Sequence, residues 1–103
     1  YDACEAMGIN PVDPSFYELV ASDIPTLVLT GDMDPLTPTS WAGRTAGALI
    51  NGQLVAFRGM AHDIFSTSIC AQAITANFIE APFMPVDDTC ARSYGPVFSP
   101  VQQ

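Results

Sequence analysis

The chain has 103 residues, of which 49% are apolar and 14% charged, a composition for one small globular core rather than a disordered segment. Eleven acids stand against three arginines and no lysine, a net charge of -8, and such a field repels phosphate backbones and anionic lipid surfaces. Nucleic acid and membrane partners are therefore not expected, and no apolar run approaches the roughly 20 residues that a bilayer span requires.

Residues 1–23 hold no long period. Their turn signals, "GINPVDPS", describe a connector with one short helix around Phe16 to Ala21. Tyr1 rather than methionine opens the sequence, and nothing near it reads as a basic-then-apolar leader, so the chain reads as a piece of a longer protein. Order begins after Pro25. Thr26 to Thr30, with Leu27, Val28 and Leu29 in succession, predicts a strand covered on both faces, as in parallel sheets. Pro38 suits a first helical position, and Trp41, Ala42, Thr45, Ala46 and Leu49 then fall on one stripe, which predicts a helix over about 38–50. Asn51-Gly52 ends it, and Leu54 to Phe57 predicts a second buried strand.

A further helix is predicted from about Phe65 to Glu80, on the spacing of Cys70, Ile74 and Phe78 with Ile69 and Ala73 beside them, and Pro82 stops it. The remainder, "APFMPVDDTC" and "YGPVFSP", has no period and reads as an irregular tail. The division is thus a connector over 1–23, an α/β unit over 24–81 and a tail over 82–103. Two parallel strands, each apolar on both faces, cannot bury themselves with two helices alone. The unit reads as the last β-α-β-α portion of a larger sheet.

Three cysteines, Cys4, Cys70 and Cys90, lack the close spacing of zinc sites, and His62 has no second histidine to join it. In an oxidising compartment an odd count implies one disulfide and one thiol that is free or paired elsewhere.

The chemistry concentrates in "LVLTGDMDPLTP", residues 27–38, where an apolar strand runs into Gly31 and then two carboxylates, Asp32 and Asp34. Groups at the carboxyl ends of strands are where open α/β sheets place their sites, and His62 falls at the end of the second strand. One reading is a magnesium-dependent phosphatase with a D-x-D-x-[TV] motif. "DMDPLT" departs from it at Gly31 and Leu36, no lysine is present to neutralise a phosphoryl group, and Asp87-Asp88 follow no strand. The other reading is an acid that orients a histidine, which in turn takes a proton from a serine.

"GDMD" followed by "PLTP", then "FRGMAHDIF", resembles the C-terminal part of the α/β-hydrolase fold, whose triad follows the order Ser, Asp, His. "IPTLVLTGDMDPLTP", "GMAH", Cys70 and "DDTC" further resemble the C-terminal domain of secreted tripeptidyl-aminopeptidase-like (TAP-like) hydrolases, over about residues 24–90, with a loose match at Cys4 to Met7. The resemblance implies Asp34 as triad acid, His62 as base, Asp32 as a turn or capping residue, and a disulfide between Cys70 and Cys90 that pins the tail. It also implies secretion, no cofactor or metal, and peptide substrates with free N-termini, with esters as the substrates of relatives. No G-x-S-x-G surrounds any of the seven serines, so the nucleophile is expected on an upstream segment of the same parent protein, which is this chain's expected partner. A catalytically degenerate hydrolase-like binding or interaction module is the alternative. Trp41 and Met60 are expected in packing, and Arg44 and Arg58 in solvent.

Overall fold

The computed structural model describes residues 2–93 and Gly95; Tyr94 and residues 96–103 of the expected tail lie outside the described residues. The chain begins with a one-turn helix α1, Asp2–Ala6, too short to leave a period in the sequence. The helix expected near Phe16 to Ala21 is instead a 3-10 turn at Pro14–Tyr17. Asp13 starts it there, its side chain accepting from the Ser15 N–H at 2.9 Å, with the fixed φ of Pro14 following, and Glu18 ends it in an extended conformation.

Strand β1, Thr26–Gly31, and strand β2, Gly52–Phe57, pair in parallel, with helix α2, Thr39–Ala48, crossing between them. Partners run from Thr26 opposite Gly52 to Gly31 opposite Phe57, so both strands end level. Pro38 is the residue before the helix, not its first: its ψ of 144° is extended, while its carbonyl accepts from the Trp41 N–H at 2.8 Å.

Leu27 and Leu29 of β1 pack with Val55 and Phe57 of β2 into a core completed by Ile64, Ala71, Ile74 and Ala91. Val55 and Phe57 are 1% and 0% exposed, and such burial stabilises by about 1.5–3 kcal/mol per side chain. The other face of β2 corrects the expectation of a strand buried on both sides, because Leu54 and Ala56 are exposed. Helix α2 meets the sheet with small residues and buries only Ala46, while Trp41, expected in packing, stands exposed. Met60 does pack on the core, and Arg44 and Arg58 are exposed. Among the described residues the sheet has two strands, so each has one edge without a strand neighbour.

The single helix expected from Phe65 to Glu80 is two, α3 at Ile64–Thr67 and α4 at Ile69–Glu80. Ser68 breaks it: its backbone is extended, and its buried hydroxyl accepts from the Ala71 N–H at 3.2 Å as the cap of α4. The buried positions of α4 are Ala71 and Ile74, whereas Ile69 and Ala73 face out. Cys70 and Cys90 are joined, and Cys4 is free and exposed.

The tail is less irregular than expected. It contains helix α5, Thr89–Ser93, opened by Asp87, whose Oδ1 accepts from the Thr89 N–H at 2.9 Å, and it seats Ala91 in the core. Gln53 holds the approach to it, donating to the Met84 carbonyl at 2.9 Å and the Pro82 carbonyl at 3.3 Å and accepting from the Val86 N–H at 2.9 Å. Among the described residues no helix is long and apolar enough to cross a membrane.

Candidate active site

Because β1 and β2 end level, the loops that leave them run side by side. Their backbones are joined directly: Asp32 N–H donates to the Phe57 carbonyl and Met33 N–H to the Met60 carbonyl, each at 3.1 Å. The approach is so close that a Cβ on Gly31 would stand 2.1 Å from the Met60 oxygen and 2.6 Å from that of Ala61, which only glycine avoids. Gly59 turns the second loop with a φ of 69°, in the left-handed region, and its N–H donates to Asp32 Oδ1 at 2.6 Å. Asp32 is thus a loop clasp.

Asp34 is enclosed by donors. Oδ1 accepts from the N–H groups of Leu36 at 2.8 Å and Thr37 at 3.1 Å, an Asx turn that rigidifies "DPLT". Oδ2 accepts from the Thr37 hydroxyl at 2.5 Å and from His62 Nδ1 at 2.8 Å. The side chain is only 4% exposed, against 56% for His62. The Thr37 hydroxyl, with His62 and the two backbone N–H groups behind it, holds the Asp34 carboxyl well below the usual carboxylate range, although its burial acts in the opposite sense.

An ionised carboxylate can only accept, so the proton of this pair sits on His62 Nδ1. In the neutral ring Nε2 then keeps its lone pair, and no protein group among the described residues engages it. Such an imidazole can accept a proton from a hydroxyl placed at its outer face while the acid behind it stabilises the charge that results. The next residue secures the loop: Asp63 accepts from the Ser66 hydroxyl through its side chain and from the Thr67 hydroxyl through its carbonyl as α3 begins.

Asp32 and Asp34, close in sequence, are turned to separate partners. Among the described residues no three His, Cys, Asp or Glu side chains gather as a metal site, and Asp87 and Asp88 serve α5, where Asp88 pairs with Arg92 at 2.9 Å. Sequence reasoning missed Thr37 and the close approach at Gly31. The signal for Thr37 was a hydroxyl three residues beyond an Asp, a spacing that lets one turn serve both carboxylate oxygens.

A match to the family described as TAP-like protein spans residues 1–91, taking in the N-terminal segment that sequence motifs reach only at Cys4 to Met7. No curated protein and no solved structure matches the chain. The family match covers both strands, both loops and the Cys70–Cys90 bridge, so the chain belongs to the TAP-like family as a C-terminal domain of the α/β-hydrolase kind.

Proposed function

We propose that this domain supplies the acid and base of a secreted serine hydrolase, with Asp34 orienting His62 and the nucleophilic serine arriving on an upstream segment of the same parent protein. The observation that carries the reading is the 2.8 Å contact between Asp34 Oδ2 and His62 Nδ1 at the carboxyl ends of two adjacent parallel strands. In catalysis His62 Nε2 takes the serine proton as the oxygen attacks the carbonyl carbon, then returns it to the leaving amine or alkoxide. Asp34 stays ionised throughout and balances the imidazolium. The substrates are short peptides cleaved from free N-termini, with esters as an accessible second class. The disulfide supports an oxidising, extracellular setting.

The test is complementation. Alone, the 103-residue chain is inert toward chromogenic peptides and esters, and a fluorophosphonate probe labels none of its seven serines, because none has the flanking glycines of a nucleophile elbow. With the upstream segment restored, hydrolysis appears, and it falls by about 10⁴-fold in kcat with Asp34→Asn and by about 10⁶-fold with His62→Ala. A restored protein that binds peptides without turnover supports instead the degenerate binding module, which the absence of G-x-S-x-G from this chain also accommodates. Turnover that survives His62→Ala overturns the hydrolase assignment.

A further inference from the structure

Thr37 contacts both members of the pair. Its hydroxyl lies 2.5 Å from Asp34 Oδ2 and 3.3 Å from His62 Nδ1, and its backbone N–H reaches the other carboxylate oxygen at 3.1 Å. One residue thus grips both oxygens of Asp34 and borders the proton that Oδ2 receives from the ring. The carboxylate can turn about its Cβ–Cγ bond only by giving up both contacts.

We propose that Thr37 is a positioning residue of the acid–base pair: by donating to Oδ2 it aims that oxygen at His62 Nδ1 and so keeps the proton on that nitrogen and the outer one open. The inference rests on the reading of Asp34 and His62 as acid and base. Leu36 N–H contributes to the same orientation through Oδ1, but it lies on the side of the carboxylate away from the ring, so the hydroxyl alone couples the two groups. Four ionisable side chains lie on the two loops, Asp32, Asp34, Arg58 and His62, with Asp63 beginning α3; Asp32 and Asp63 are committed to Gly59 and Ser66.

The chain has one histidine, so its ring nitrogens can be assigned by ¹⁵N NMR without ambiguity. In the wild-type chain at neutral pH, His62 is expected in the Nδ1–H form, with a low-field Nδ1 proton. Thr37→Val, which keeps the shape and removes the hydroxyl, loses the low-field resonance, mixes the two tautomers and moves the Asp34 carboxyl titration, read by ¹³C, up toward the ordinary carboxylate range. Thr37→Ser retains all three signatures. A hydroxyl that only filled space would leave the tautomer and the titration unmoved in Thr37→Val, and that outcome overturns the proposal while leaving the pair intact. If Thr37→Val does not fold, Thr37→Ala is read by the same tautomer and titration signatures: their loss supports the proposal and their persistence overturns it. A wild-type ring protonated on Nε2, with Asp34→Asn leaving it unchanged, overturns the acid–base reading itself.

Discussion

The Gly59 N–H donates to Asp32 Oδ1 at 2.6 Å, closing one loop onto the other beside the Asp34–His62 pair. Two acids one residue apart therefore have different tasks, the first joining backbones and the second facing the imidazole. Asp32→Ala frees the Gly59 amide, and its hydrogen exchange is expected to accelerate while His62 keeps its Nδ1 partner. Under the proposed hydrolase reading, the substitution is expected to lower the kcat of the complemented protein far less than Asp34→Asn does.

Gly31→Ala drives a methyl group into the Met60 carbonyl and must push the loops apart. A loss of about 1–3 kcal/mol in urea denaturation is expected, typical of forced overpacking. The displacement lies upstream of His62, so the low-field ring proton weakens in the same variant.

Acid sensitivity follows from Asp34. Its folded pKa lies below its unfolded value, so its contribution to stability is fully present above the ordinary carboxylate range and is lost as pH falls through the folded value. Asp13 and Asp87, lowered by hydrogen bonds from Ser15 and Thr89, act in the same direction. The urea midpoint of the wild type is expected to decline on acidification below about pH 4, and Asp34→Asn to flatten part of that decline.

Cys70 and Cys90 close a loop of 20 residues, and such closure stabilises by about 3 kcal/mol in the chain-entropy description. Reduction is expected to lower stability by that order and to expose the face of α4 and β2 that Val86 and Ala91 cover. Peptide mapping without reductant should join these two cysteines and leave Cys4 alkylatable.

Gln53→Ala removes three hydrogen bonds at once and strands the Val86 N–H in a half-buried position. A loss of about 2 kcal/mol is expected in denaturation, with faster proteolysis between Pro82 and Val86 as a second readout.

The strands and the residues at their ends were legible because apolar runs bounded by turn residues are local signals. "LVLTGDMD" and "VAFRGMAH" each state a strand and its exit within eight residues. Breaks imposed by side-chain hydroxyls were not. Ser68 interrupts an apolar helical spacing that continues through it, and the polar run Ser66-Thr67-Ser68 was the available sign. Helix α5 escaped because one capped turn cannot establish a period, and the exposure of Trp41 and Leu54 depends on what α2 covers rather than on their own hydrophobicity. Thr37 was hidden for a similar reason, since its role depends on two oxygens of another residue.

The ring of His62 offers the outside world two nitrogens that are unequal in reach: Nδ1 is shut behind Asp34 and Thr37, while more than half of the side chain is open. Electrophiles therefore meet a directional nucleophile. An alkylating or acylating reagent should leave a regiochemical imprint, modifying Nε2 and sparing Nδ1, and an inhibitor designed for this ring would have to arrive along a single axis.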